Sequence, residues 1–167
     1  MGGRTDIFDL GRLSLASGEG CRLELDVQFD DLDVAGQHYV VSTAPVTLDV
    51  SRTTTGWSLR LRYEAALAGP CMRCLEPAQR TIAIDAREVD QPGGGEDLSS
   101  PYVDGDELDV RAWARDSVAL DLAGQVVCRD ECAGLCPVCG KNLDAEPHGH
   151  ERAPDPRFAK LSQLRLQ

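Results

Sequence analysis

Six cysteines and two histidines of this chain occur as closely spaced pairs, a pattern typical of soft metal ligands. The pairs are Cys71 with Cys74, Cys128 with Cys132, Cys136 with Cys139, and His148 with His150. A Cys-x-x-Cys turn can bring two thiolates to one ion at about 2.3 Å while backbone N–H groups point at the sulfurs. Eight ligands of these types are enough for two tetrahedral zinc ions.

The two Cys-x-x-Cys turns differ in the strength of their signal. In "CPVCG", Pro137 stiffens the turn and Gly140 follows the second cysteine, where a positive φ is often needed. In "CMRCL" that position is Leu75, so this turn alone is the weaker signal. Of the remaining candidates, Cys21 is better explained as a small apolar strand residue, and His38 as a strand or turn residue.

Two divisions of the eight ligands are compatible with their spacing. In the one we favour, a cysteine–histidine cluster closes locally and a four-cysteine cluster forms by a long-range contact. The first consists of Cys136, Cys139, His148 and His150, and the second of Cys71, Cys74, Cys128 and Cys132. The alternative gives the four cysteines of 128–139 to one ion and leaves the first pair to other partners. Ligand spacing does not decide between them.

Several arginines lie near these ligands or in a basic stretch of the chain. Four thiolates around Zn²⁺ leave a formal charge of about -2, which favours nearby N–H donors or cations. Arg73 and Arg129 are placed to supply them, although solvation at the surface explains both equally well. The residues that we expect to contact RNA or another partner are Arg60, Arg62, Arg73, Arg80 and Arg129.

The composition restricts the class of protein. The chain has 167 residues, 42% hydrophobic, without an apolar run long enough for a membrane helix. The first residues, "MGGRTDIFDL", lack the apolar run of a signal peptide, so we expect a cytoplasmic protein, whose cysteines would be metal ligands rather than disulfides. The net charge of -11 favours a basic protein partner and disfavours nonspecific electrostatic binding of the whole protein to nucleic acid.

The elements that must position these ligands are mostly strands. Apolar residues alternate with polar ones in 22–27, 46–50, 57–63 and 81–84, and "TTTG" at 53–56 is a plausible turn. A helix over about 108–123, with Asp106 as N-cap and Gly124 at its end, delivers the chain to Cys128. We therefore predict an α+β fold: an antiparallel β-rich domain over 1–127 and a C-terminal zinc-binding element over 128–167.

Three segments together resemble a known family. "PCMRCLEP" (70–77), "CRDECAGLCPVCGKNL" (128–143) and "DPRFAKL" (155–161) are similar to the YceD family, the large ribosomal RNA subunit accumulation proteins. The resemblance implies a bacterial or organellar cytoplasmic protein needed for accumulation of 23S ribosomal RNA. Many relatives carry a Cys-x-Cys pair where this chain has His148 and His150, which supports a metal role for both positions. Two roles for "DPRFAKL" stay open: it docks the C-terminal tail onto the rest of the chain, or it forms a helix that binds a partner.

Three functions compete at this point. The first is a noncatalytic zinc-binding factor that acts through its surfaces on ribosomal RNA, on a basic large-subunit ribosomal protein, or on both. The second is a zinc enzyme acting on RNA, although the His-x-Glu then Pro-Cys-x-x-Cys order of deaminases is absent. The third is a thiol redox protein, although neither Cys-x-x-Cys turn has the βαβ context of thioredoxin. We favour the first, with about two zinc ions and no membrane association.

Overall fold

The computed structural model describes residues 6–42, 44–95, 98–122, 126–150 and 157. Within these residues nine strands, a short 3-10 helix at Leu10–Leu13 and one α-helix are formed. In chain order they are β1 (Ile7–Asp9), β2 (Gly20–Val27), β3 (Leu32–Val34), β4 (Gln37–Val41), β5 (Ala44–Arg52), β6 (Trp57–Pro70), β7 (Pro77–Asp90), β8 (Val103–Asp104), β9 (Glu107–Asp109) and α1 (Val110–Asp121). The α+β class predicted from the sequence is confirmed.

The main sheet has six strands and is organised around β6. Antiparallel β7 pairs with β6 from Trp57↔Asp90 to Pro70↔Pro77 and so occupies one edge over its whole length. The other edge is shared, because β5 pairs with the first half of β6 and β4 with Leu67 and Ala68. Strands β2 and β3 extend the sheet beyond β5 and β4. A second, three-stranded sheet has the order β1-β9-β8.

The alternation along β6 divides the main sheet into two faces. Trp57, Leu59, Leu61 and Tyr63 are buried on what we call the inner face, as their period-two spacing predicts. The exposed or half-buried side chains that alternate with them, among them Arg60, form the outer face. The predicted turn at 53–56 is also formed, since the Thr53 N–H donates to the Gly56 carbonyl oxygen at 2.9 Å.

Helix α1 covers the inner face. Its apolar stripe of Val110, Trp113, Ala114 and Val118 is buried, and the Tyr63 hydroxyl donates to the Ala114 carbonyl oxygen at 2.5 Å. Residues of this stripe recur every three or four positions, so they lie on one side of the helix. The helix is not long and apolar enough to cross a membrane, which holds for every helix among the described residues.

The start of α1 differs from the prediction. Asp109 is the N-cap, because its carboxylate accepts a hydrogen bond from the Ala112 N–H at 2.8 Å. Asp106 instead lies in the turn between β8 and β9, where its carbonyl oxygen accepts from Leu10. Gly124, the predicted end of the helix, and "DPRFAKL" apart from Arg157 lie outside the described residues. The division of the chain at residue 127 stays a prediction.

Candidate metal centres

The four-cysteine cluster forms where the turn between β6 and β7 meets the segment that follows α1. Its four sulfur atoms all lie within 4.8 Å of one another. The Cys71 and Cys132 sulfurs are 3.9 Å apart, and the Cys74 and Cys128 sulfurs are 3.6 Å apart. A tetrahedral zinc with Zn–S bonds of about 2.3 Å requires sulfurs about 3.8 Å apart, whereas a disulfide needs about 2.05 Å. The spacing therefore fits a shared ion and not a pair of disulfides.

The cysteine–histidine cluster lies within a single loop element. The ligand atoms of Cys136, Cys139, His148 and His150 also lie within 4.8 Å of one another. The Cys139 sulfur is 3.1 Å from His148 Nε2 and 3.4 Å from His150 Nε2. Tetrahedral zinc places S and N ligands about 3.5 Å apart. The structure thus brings the eight ligands together in the two sets that we favoured, and each set could hold one metal ion.

A backbone contact fixes which nitrogen of His148 faces this cluster. His148 Nδ1 lies 2.6 Å from the Glu146 carbonyl oxygen, which can only accept a hydrogen bond. In the neutral ring the contact assigns the proton to Nδ1, which leaves the Nε2 lone pair directed towards Cys139. Histidines that bind metals usually have their other ring nitrogen held in this way.

The two Cys-x-x-Cys turns have the same backbone geometry, although only one contains glycine. Leu75 N–H donates to the Cys71 carbonyl oxygen at 2.9 Å, and Gly140 N–H donates to that of Cys136 at 2.8 Å. Both residues are left-handed, with φ of 65° at Leu75 and 74° at Gly140. Leu75 therefore adopts the conformation for which glycine is preferred, and the absence of glycine from "CMRCL" does not weaken the turn's geometry.

Substitutions at Leu75 test this conformation. A left-handed backbone costs a residue with a side chain roughly 1–2 kcal/mol, and branching at Cβ makes it worse. We expect Leu75→Val to lower the free energy of unfolding by about 1 kcal/mol, whereas Leu75→Gly should leave it equal or higher. Urea-induced unfolding of the two variants measures the difference. Equal stability of the Gly and Val variants would contradict a left-handed residue at this position.

The first cysteine of each turn has a lowered pKa. Burial raises the pKa of Cys71, but backbone N–H groups, including those of Cys74 and Arg73, outweigh it and lower the pKa to about 6. The N–H groups of Cys139 and Val138 likewise lower the pKa of Cys136 to about 6. Burial raises the pKa of Cys132 to about 12. The backbone of each turn thus favours the thiolate form of its first cysteine before a cation is added.

The clusters differ in their exposure to solvent. In the four-cysteine cluster Cys71, Cys74 and Cys132 are buried and pack with the hydrophobic core, and Cys128 is half-buried. In the cysteine–histidine cluster only Cys136 is buried, while the other three ligands are exposed. The first cluster is therefore part of the core, and the second lies at the surface.

Hydrogen bonds and an ion pair between flanking residues join the segments that carry the two clusters. The Arg73 guanidinium donates to the carbonyl oxygens of Asp130 and Cys132 at 3.0 and 3.1 Å, and the Arg73 carbonyl oxygen accepts from Leu135 at 3.0 Å. Asp144 pairs with Arg129 at 2.6 Å and accepts from the Ala133 N–H at 3.1 Å. Asp144 was not among the predicted site residues, since it is one of many acids and only the contact distinguishes it.

The five arginines expected to contact a partner do not form one face. Arg60 pairs with Asp85 and Arg62 with Asp49, each at 2.6 Å on the outer face. The other three, Arg73, Arg80 and Arg129, lie around the four-cysteine cluster at the other end of the β6–β7 hairpin. Arg80 lies opposite Leu67, five residues beyond Arg62 on β6, which is about 17 Å along the strand, and the Cys-x-x-Cys turn with Arg73 lies farther still.

The remaining candidates lie elsewhere. Cys21 is half-buried on β2 opposite Val50, against the core. His38 is exposed on β4, and its ring contacts Asp33 at 3.0 Å and Asp31 at 3.3 Å. The alternative division, with all four cysteines of 128–139 on one ion, does not occur as a group among the described residues.

Comparison with known proteins identifies the family. Residues 59–165, which include all eight predicted ligands, match the family described as Large ribosomal RNA subunit accumulation protein YceD. The chain belongs to the YceD family. The resemblance to this family, inferred from three sequence motifs, is thereby confirmed. No solved structure matches this YceD-family chain significantly.

The relatives that this YceD chain matches are longer proteins. An uncharacterized protein of Mycobacterium tuberculosis is 37% identical over 108 residues, which cover 60% of this chain and 51% of the relative. One of Mycobacterium leprae is 28% identical, covering 72% and 59%. A maize protein named Large ribosomal RNA subunit accumulation protein YCED homolog 1, chloroplastic, is 26% identical, covering 81% and 57%. The chain thus spans about half the length of the curated relatives it matches.

Proposed function

We propose that the protein is a noncatalytic zinc-binding factor that supports accumulation and processing of 23S ribosomal RNA and assembly of the large ribosomal subunit. The family to which the chain belongs is described as large ribosomal RNA subunit accumulation protein. The observation that carries the metal part is the four-cysteine cluster, whose four sulfurs lie within 4.8 Å of one another in the core. The zinc ions hold the sheet and the segment after α1 in place.

The ligand sets favour a structural over a catalytic role. A catalytic zinc keeps one position open for water or substrate, with three ligands from the protein. Each cluster here offers four protein ligands, which complete a tetrahedral zinc. Cysteine and histidine also suit zinc better than magnesium or calcium, which prefer oxygen. The ions then stabilise the fold, and the protein acts through its surfaces.

The partners that we propose are ribosomal RNA, a basic large-subunit ribosomal protein, or both, met in the cytoplasm. The net charge of -11 supports a basic protein as one partner. All seven cysteines are free in the structure, and the proposed compartment, being reducing, would keep them so. The proposed contact residues are the five arginines named above, although the ion pairs of Arg60, Arg62 and Arg129 reduce their free positive charge.

Elemental analysis of the purified full chain tests the metal part. We expect about two zinc ions per chain, and one fewer in Cys71→Ser and in Cys139→Ser, since each substitution removes a ligand from only one cluster. Cys21→Ser is the matched control, because Cys21 is a cysteine outside both clusters, and it should keep both ions. A wild-type chain without zinc would instead favour a thiol redox protein.

Complementation in the protein's own host tests the RNA part. Removal of the gene is expected to lower mature 23S relative to 16S ribosomal RNA, measured by electrophoresis of total RNA. Wild type and Cys21→Ser should restore the ratio, whereas Cys71→Ser should not, because it disrupts the buried cluster that holds the fold. Unchanged RNA ratios after removal of the gene would contradict the proposed function.

A further inference from the structure

Three surface depressions meet at Gln79, near the start of β7. Their volumes are about 680, 590 and 280 Å³, and Gln79 lines all three. The first two also share Cys128, and the first and third share Ala68. We call this continuous surface the Gln79 groove. It passes directly beside the four-cysteine cluster, at the one sulfur ligand that is not fully buried.

The floor and walls of the Gln79 groove are largely apolar. Val40 of β4 is 51% exposed and Leu75 of the first Cys-x-x-Cys turn is 53% exposed. Between them lie small side chains of the outer face, Ala66 and Ala68. Contiguous exposed apolar surface of this kind marks interaction sites more often than isolated exposed residues do. Small side chains on a sheet also let a second backbone approach closely.

The electrostatics of the Gln79 groove favour a cationic occupant. Its charged lining residues, Arg80, Arg129, Asp130 and Glu131, sum to zero. The four thiolates with zinc add a charge of about -2 beside Cys128. Arg73, which donates to two neutral carbonyl oxygens beside the cluster, adds one positive charge, and Asp144, which pairs with Arg129, adds one negative charge that offsets it. With zinc bound the groove is therefore negative.

The same features disfavour RNA in the Gln79 groove. Single-stranded RNA is usually held by bases stacked on aromatic side chains and by phosphates on a positive surface. No aromatic residue lines these depressions among the described residues, and the cluster would repel phosphate. A protein segment can cover the apolar surface with apolar side chains and place basic side chains at the negative end beside Cys128.

We infer that the Gln79 groove, between β4, β7 and the four-cysteine cluster, binds a protein segment whose apolar side chains are flanked by lysine or arginine. The inference rests on the zinc content proposed above. The basic side chains approach Cys128 and the acids at 130–131, and the apolar ones cover Leu75 and Val40. This assigns the basic partner of the proposed function to one face of the molecule.

Binding of defined probes to the zinc-loaded full chain tests the inference. The probes are a short labelled peptide of leucine and lysine, its leucine–glutamate counterpart, and a single-stranded RNA of similar length. Fluorescence anisotropy at physiological salt measures the affinity of each probe. Gln79→Lys adds a positive charge in the groove. Ser58→Lys adds the same charge at an exposed position at the far end of β6 and is the matched control.

The leucine–lysine peptide is expected to bind the wild type, and Gln79→Lys should weaken it about tenfold, or about 1.4 kcal/mol, through repulsion in the groove. Ser58→Lys should weaken it less than about twofold, because screening limits the effect of a distant charge. Equal losses in both variants, tighter binding of the acidic peptide or the RNA, or no binding would overturn the inference. Zinc is measured first: a chain without zinc contradicts the proposed function instead.

Discussion

A strong chelator is expected to remove zinc from the cysteine–histidine cluster at least about ten times faster than from the four-cysteine cluster. Cys139, His148 and His150 are exposed, so a chelator can replace them one at a time. Cys71, Cys74 and Cys132 are at most 5% exposed, so the other ion can leave only when the core opens locally. Release should follow two phases, recorded with a chromogenic chelator.

Only loss of the slowly released ion, the one in the four-cysteine cluster, should strongly destabilise the main sheet. Structural zinc contributes on the order of 10 kcal/mol in small zinc domains, and here it joins the β6–β7 turn to the segment after α1. Near-ultraviolet circular dichroism should therefore change with the slow phase. Cys139→Ser should lack the fast phase, and Cys21→Ser should keep both. A single phase for both ions, or a fast phase that persists in Cys139→Ser, would contradict the difference in burial as its cause.

The faces of individual elements could be predicted from the sequence because side-chain direction is a local property. In β6 the alternation of Trp57, Leu59 and Leu61 with polar residues assigned each side chain to the correct face. In α1 the spacing of Trp113 and Val118 did the same. Both periods follow from backbone geometry within a few residues, so no tertiary contact is needed to derive them.

Strand pairing could not be predicted to the same extent, because it depends on distant segments. Nothing in 77–90 indicates that it pairs with β6 over fourteen residue pairs, or that the first Cys-x-x-Cys turn is the tip of that hairpin. The prediction of Asp106 as the N-cap of α1 was wrong for a related reason. Several acids precede the helix, and only the hydrogen bond from the Ala112 N–H distinguishes Asp109.

The two clusters show the same contrast between local and long-range information. The cysteine–histidine cluster closes within one short segment, so its ligand spacing is compatible with a local site, although spacing did not decide between the two divisions. The four-cysteine cluster needs residues 54 to 61 positions apart, and the sequence only allowed it as one of two divisions. Residue type indicates neither the left-handed conformation of Leu75, which leucine disfavours, nor the Asp144 contacts that join the clusters.

Trp113→Ala is expected to lower the free energy of unfolding by about 3–5 kcal/mol, because it deletes the largest fully buried side chain. Trp113 stacks on Tyr102 at 6.2 Å between ring centroids and fixes α1 on the inner face. Leu120→Ala is the matched control on the same helix; its side chain is 77% exposed, so the change should stay within about 0.5 kcal/mol. Urea-induced unfolding measures both variants, and a loss below about 1 kcal/mol for Trp113→Ala would contradict the packing.

Repeating the Trp113→Ala measurement with and without zinc tests whether α1 positions the four-cysteine cluster. The helix ends at Asp121, only a few residues before Val126, whose carbonyl oxygen accepts from Met72 in the first Cys-x-x-Cys turn. If the helix holds Cys128 and Cys132 in place, its loosening must weaken zinc binding, because ligand binding and folding are linked. The loss of stability should then be larger in the zinc-loaded protein than in the zinc-free one. Equal losses would mean that the cluster forms independently of the helix that precedes it.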